Sequence, residues 1–477
     1  MHAVCILLFL LIYLSTMTLP SSLDITSIKT YYQNGGSPFV LFDLLYRRIV
    51  IDEDAHANAW ISLRSQADIH LILEQLISVS PSDLPLWGIP FSVKDNIDVL
   101  GLATTAACPA FSYIPKQSAV VVDRLERAGA ICLGKTNLDQ FATGLNGTRS
   151  PYGPCTSVFH SDYISGGSSS GSAVSVALHQ VCFSIGTDTG GSGRIPASLN
   201  NIVGLKPTCG TLSTLGLVPC CPSVDCPSVF ALSVADALEV ASVMSDLEPS
   251  DSSLRADIHC SNYSSVGVTS LASVLVPSDY DLEFFGNEDG KSLYLGFLDT
   301  LEKSGLTVRQ FNFSPFREAG SLLFDGPFIA DRFSSIGPFV QSNKPSVLET
   351  TSSILSKASA VSGADVFKAL VRIKQLKVYV QSLVGPDDLF LFPTLAPLYT
   401  VSQMLANPVE LNSNIGHYSY FANILDLSAL SVPIGFYPNG MPFGITLMGL
   451  PFRDSFLAQF AISVLGVDDL TLGLSRT

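Results

Sequence analysis

Two serines, Ser168 in GGSSSGSA and Ser192 in GTDTGGSGRIPA, lie in glycine-rich turns joined by an apolar segment. Glycine lets main-chain N–H groups crowd one point without interference from a Cβ, which is what stabilising a developing oxyanion requires. A serine hydroxyl is a weak nucleophile at neutral pH and needs a positioned base. Histidine is the usual base, but His160 and His179, the two near this stretch, sit in no triad-like context, and the GxSxG elbow of α/β-hydrolases is missing. A lysine remains. Lys94 closes the apolar run GIPFSVKDN, where loss of water would depress its pKa and leave it neutral at working pH. The three residues then read as a relay from Ser192 through Ser168 to Lys94, fit for nucleophilic cleavage of an acyl bond. Asp188 and Arg194 flank Ser192 and read as an ion pair near the surface of the turn, holding its shape.

Blander readings of the same residues exist. GGSSSGS could be a flexible linker, but a linker is not followed at once by an apolar helix and strand. It could cradle a phosphate, but no GK[ST] follows. Lys94 in isolation reads as a surface lysine, and only its strand context together with the two serines moves it inward.

The elements that must position these groups follow from hydrophobic periodicity. Residues 23–82 read as amphipathic packing helices, with Trp60-Ile61 and residues 69–77 offering apolar faces at helical spacing. LWGIPFSVKDNIDV contains a short strand ending at Lys94, and SAVVVDRLERAGAICLGKTN reads as helix, turn and buried strand. Residues 171–181 form a small-residue helix, FSIGTD the next strand, and LFLFPTLAP, LSVPIGF and PFGITLMG later core strands. Residues 245–320, rich in serine and acids, read as a peripheral excursion. The alternation predicts an α/β fold with a large mixed β-sheet core flanked by helices in a layered α/β/α arrangement.

The 477 residues are 14% charged, with no low-complexity tract or linker, which suits one large buried core over residues 21–477. A formal net charge of −15 repels phosphate and excludes nucleic acid as an expected partner. An anionic substrate would need local arginine. The ten cysteines show no CxxC pairs or ligand spacing and read mostly as buried thiols, with no metal or other cofactor implied. Residues 1–20 form a hydrophobic leader of signal-peptide length, readable as a signal or anchor, or as the odd amino terminus of a cytoplasmic chain. The run lacks a preceding Lys or Arg, and the Asn146-Gly-Thr sequon falls in site-like sequence where a glycan would block access, so the cytoplasmic reading is preferred.

GGSSSGSA, GTDTGGSGRIPA and GLKPT, with GIPFSVKDN upstream, resemble the amidase signature family of Ser-cisSer-Lys hydrolases, over roughly residues 25–470. The resemblance implies Ser192 as nucleophile, Ser168 on a cis peptide as proton relay, Lys94 as base, and an oxyanion hole from the main-chain N–H groups of Thr189, Gly190 and Gly191. Within the family the chain is most similar to the allophanate hydrolase branch. That similarity rests on AGAICLGKTNLDQFATGLNGTRSPYG, Ser170, Gly193 and NPVELNSNIGHYSYFANILDLSALSVPIGF.

Allophanate is a small anion, so its carboxylate calls for a guanidinium fork. FDGPFIADR supplies Arg332 for this, but has Phe324 where the branch implies a tyrosine. Losing one phenolic hydrogen bond to a charged group costs about 1.5–3 kcal/mol. Tyr152, with Asn137, Gln140 and Gly144, joins the candidate pocket, each of these equally readable as packing. The resemblance further implies a small amide or ureido acid as substrate, release of ammonia, and a functional link to urea carboxylase, with a homodimer left open. The additional carboxy-terminal domain of full-length allophanate hydrolases is not expected in this chain. Two alternatives stay open. One is a broader small-molecule amidase, favoured by Phe324. The other is a non-catalytic or amidotransferase-type component of a complex, against which the intact Lys94, Ser168 and Ser192 and the acidic charge both count.

Overall fold

The computed structural model describes residues 19–55, 58–245, 251–257, 263, 273–324, 326–385 and 387–474. The expected leader thus lies almost wholly outside the described residues. Among the described residues no helix is long and apolar enough to cross a membrane.

Eleven strands form one sheet: β1 (Trp60–Leu63), β2 (Pro90–Lys94), β3 (Ile131–Thr136), β4 (Phe183–Asp188), β5 (Val203–Lys206), β6 (Cys226–Ala231), β7 (Ser273–Pro277), β8 (Val308–Phe311), β9 (Asp388–Pro393), β10 (Ser428–Phe436) and β11 (Pro442–Gly449). Their spatial order is β1-β3-β2-β4-β6-β5-β10-β11-β9-β7-β8. Pairing is parallel for β3-β2-β4 and for β9-β7-β8, and antiparallel elsewhere. The sheet is mixed, as expected from the sequence. Every residue of β2, β3, β4 and β6 is buried, so both faces of the centre are covered. The helix Val234–Met244 packs against those at Val120–Arg127 and Asp454–Ser463, and those at Ser170–Ala177 and Ile195–Leu199 form a second group.

The helix Ser170–Ala177, SGSAVSVA, is buried along its whole length, and its small side chains let it lie against β4 and β2. A Cβ on Gly171 would come within 2.0 Å of the Ala59 carbonyl oxygen, so only glycine fits where this helix meets the chain entering β1.

Two expectations are corrected. Trp60-Ile61 belong to β1 rather than a helix, because the open edge of β3 offers main-chain partners that pair Trp60 with Thr136. Residues 245–320 are not peripheral throughout. The apolar SVLVP of β7 is fully buried and pairs with β9, while many of the acids that suggested an excursion lie on the helix Glu288–Lys303 and the turn before it.

Candidate active site

Strands β2 and β4 run parallel and adjacent, so their carboxy-terminal ends open at one edge of the sheet, where ligands of α/β folds commonly bind. Lys94 is the last residue of β2, and the Ser192 turn follows Asp188, the last residue of β4. The apolar segment between the two serines is the helix Ser170–Ala177 followed by β4, which carries the chain away from this edge and back. That return brings the two glycine turns together.

Lys94 Nζ lies 2.8 Å from Ser168 Oγ and 2.8 Å from Thr187 Oγ1, and Ser168 Oγ lies 2.9 Å from Ser192 Oγ. The Gly167–Ser168 peptide is cis. All three side chains are buried. Burial pushes the Lys94 amine down to about 7, against the pull of Cys220 and of the carboxyls of Asp139, Asp225 and Asp188. Among the described residues no carboxylate touches Lys94, so nothing at contact distance restores its charge. Thr187, which lies inside GTDTGGSGRIPA without being assigned a role there, is the second anchor of the amine.

Asp188 braces the turn. Its carboxylate accepts from Gly191 N and Gly193 N, both at 2.9 Å, and takes Arg194 in a two-pronged pair, Nε at 2.9 Å and Nη2 at 3.0 Å. Both charged side chains are completely buried, which corrects the expectation of a pair near the surface. Desolvation works against the Asp188 charge, but Arg194 and the turn amides outweigh it and hold the carboxyl below its ordinary range. Arg194 Nη2 also donates to Ser419 O at 3.1 Å, and Ser419 Oγ donates to Gly190 O at 2.8 Å.

Of the three main-chain donors named as an oxyanion hole, Gly191 is already committed to Asp188, and its φ of +135° explains the glycine. The N–H groups of Thr189, Gly190 and Ser192 meet no acceptor among the described residues. The Thr189 hydroxyl donates to Asp225 Oδ1 at 2.5 Å, and Asp225 Oδ2 accepts from Cys220 N and Cys221 N at 2.8 and 3.0 Å. Across the site, Asp139 takes the amides of Asn146, Gly147 and Arg149, while its own N–H donates to Ser168 O at 3.1 Å. Sequence reasoning misses these carboxylates because binding main-chain N–H groups leaves no characteristic spacing.

Arg332 is 1% exposed and has no carboxylate partner among the described residues. Its Nη2 donates to Thr143 Oγ1 at 3.0 Å, its Nε has no partner there, and its guanidinium lies 5.2 Å from the centre of the Phe324 ring. Phe324 stacks on Tyr420 at 3.8 Å and sits over the Ser192 turn, since a Cβ on Gly190 would fall 2.6 Å from Phe324 Cε2. Arg332, Phe324 and the Ser192 turn are therefore neighbours. The contacts of the half-buried Tyr152 are with Ser150 and Thr105, not with Arg332. Asn137 and Gln140 spend their amides on main-chain groups of Asn58, Ala107 and Leu348, and Gly144 packs on Asp139, so these three read as packing.

A buried lysine, two hydrogen-bonded serines and unengaged turn amides thus meet at one strand end. The chain matches the Amidase family over residues 72–457 and belongs to it. It is 41% identical to the urea amidolyase of Saccharomyces cerevisiae over 408 residues, 85% of this chain but 22% of that protein. It is also similar to the solved allophanate hydrolase of Kluyveromyces lactis, with a TM-score of 0.84 and 36% identity over 94% of this chain and 74% of that one. The A component of the glutamyl-tRNA(Gln) amidotransferase of Synechococcus is 31% identical over 87% of this chain and 91% of its own length. The chain thus spans about a fifth of the length of the urea amidolyases it matches.

Proposed function

We propose that this chain hydrolyses allophanate, releasing ammonia through a Ser192–Ser168–Lys94 relay. The observation that carries the reading is the unbroken, buried hydrogen-bond chain joining one amine to two hydroxyls. Neutral Lys94 accepts a proton through Ser168 as Ser192 Oγ attacks the terminal amide carbonyl. The oxyanion is received by the unengaged N–H groups of Thr189, Gly190 and Ser192. The proton returns along the same path to the leaving nitrogen, ammonia departs, and water clears the acyl-enzyme to give N-carboxycarbamate and restore Ser192. Asp188, Arg194 and Asp139 hold the two turns in register and touch no reacting atom.

Arg332 supports an anionic substrate, because a buried guanidinium with no carboxylate and an open Nε lacks a counter-ion that a substrate carboxylate would supply. This, with the higher identity to urea amidolyase than to the tRNA-dependent amidotransferase, favours a small ureido acid over glutamine. The reaction that supplies the substrate is carboxylation of urea, which makes a urea carboxylase the expected functional partner. Ammonia release by the purified chain from allophanate, malonamate, biuret and a neutral aliphatic amide tests the reading. Turnover is expected to be highest on allophanate; equal or higher rates on the neutral amide would replace it with the broader amidase.

A further inference from the structure

On the far side of the Asp188 ladder lies a cluster that the mechanism does not use. Lys206 at the end of β5 is completely buried and has no carboxylate within ion-pairing distance among the described residues. Its Nζ donates to Pro207 O at 2.6 Å and lies 3.7 Å from Cys209 Sγ. Cys226, the first residue of β6, shares the Pro207 carbonyl, its Sγ lying 3.3 Å from that oxygen, and its thiol interacts with that of Cys209. All eight described cysteines are free, and Cys209 alone among them is partly exposed. A buried ammonium requires a counter-charge, and the nearest acidic group to Lys206 is a thiol.

We propose that Cys209 and Cys226 form a peroxide-reactive thiol pair in which Lys206 supports the Cys209 thiolate. The Lys206 ammonium, 3.7 Å from Cys209 Sγ, favours the Cys209 thiolate, while Cys226 Sγ lies 3.3 and 3.2 Å from the Pro207 and Pro227 carbonyl oxygens, to which only its protonated form donates. Arg255, paired with Asp257 and Asp426, donates to the Cys209 carbonyl at 3.4 Å and anchors that segment. Cys209, partly exposed and beside the ammonium, is placed as the attacking thiol, and buried Cys226 as the resolving one.

The chemistry balances with hydrogen peroxide as oxidant. The Cys209 thiolate attacks one peroxide oxygen, the O–O bond breaks, and hydroxide leaves as water after taking a proton, giving a sulfenic acid. The Cys226 sulfur then attacks the Cys209 sulfur, the S–O bond breaks, and a second water departs. Two thiols lose two electrons and two protons, and one peroxide is reduced to two waters. Cys226 pairs with Asp188 across the β4–β6 ladder, which places the new bond directly behind the nucleophile turn.

The test uses the whole chain, exposed to hydrogen peroxide, then alkylated and analysed as peptides by mass spectrometry. A 209–226 disulfide is expected to form at least about tenfold faster than any other cysteine is oxidised, given that thiolate fraction governs the rate. Cys226→Ala should stop the reaction at a sulfenic acid on Cys209 that dimedone traps. Cys209→Ser should leave the 226 thiol reduced. The proposal is overturned if Cys209 stays reduced while buried cysteines oxidise, or if dimedone fails to label Cys209 in the Cys226→Ala chain. Neither readout depends on the substrate or on turnover, so it stands or falls separately from the proposed hydrolysis.

Discussion

The two halves of the candidate site differ in how completely they are satisfied from within. Around Ser192, the Asp188 carboxylate is matched to Arg194 and two turn amides, and Lys94 has two hydroxyl partners. Around Arg332, a buried charge has a hydroxyl, an aromatic face and the Cys220 thiol but no carboxylate, and its Nε has no partner among the described residues. On the proposed function, the difference teaches that the reacting groups are held in place by the fold itself, whereas the anion-binding half is completed by the substrate. A network whose buried charges are matched keeps its geometry without substrate even with Arg194 Nη1 unpartnered among the described residues, whereas a buried cation facing no carboxylate there can take an anion.

The comparison can be broken most severely at the charge-matched half. Ser192→Ala should lower ammonia release by at least about 10⁴-fold while circular dichroism remains unchanged, since removing a nucleophile leaves only binding and the oxyanion donors. Undiminished turnover would end the assignment.

Asp188→Asn should destabilise the chain by about 3–5 kcal/mol in urea titration, because it strands a fully buried Arg194. A loss under about 1 kcal/mol would return the pair to the weak surface type that the sequence suggests.

At the open half the effects are smaller and selective. Arg332→Ala should raise KM for allophanate roughly 10- to 100-fold, equivalent to one charge-assisted hydrogen bond, and leave KM for a neutral amide nearly unchanged. Equal effects on both substrates would mean that Arg332 is packing. Phe324→Tyr sharpens the same point. If the added phenol reaches the bound carboxylate, KM for allophanate falls by up to about tenfold, and a rise would show that the stack on Tyr420 matters more than the missing hydroxyl.

How much of this is legible in the sequence follows the same division. Lys94, Ser168 and Ser192 are readable because each sits beside local signals, a strand end or a glycine turn, that constrain what the residue can do. The central strands are readable because continuous apolar runs admit few other fates. The roles of Thr187, Asp139 and Asp225 are not, although the first two lie inside the quoted motifs, since they depend on an amine and on main-chain groups that only the fold brings near. Strand β1 is misread for a related reason, as its pairing with β3 overrides the helical spacing around Trp60. The burial of Asp188 escapes the sequence because a turn reads as surface, and this turn is roofed by Ser419 and Asn423 from a segment more than 200 positions away.

The central claim is that an uncharged, water-excluded amine drives the relay. The pH dependence of kcat/KM for ammonia release tests it most directly, because Lys94 acts only when deprotonated and its amine is pushed down to about 7. The rate should be flat above that pH and fall about tenfold per unit below it, with the acid limb centred near 7. A profile that stays level down to pH ~5, or one that keeps rising toward pH ~10 as an ordinary lysine would, contradicts the account.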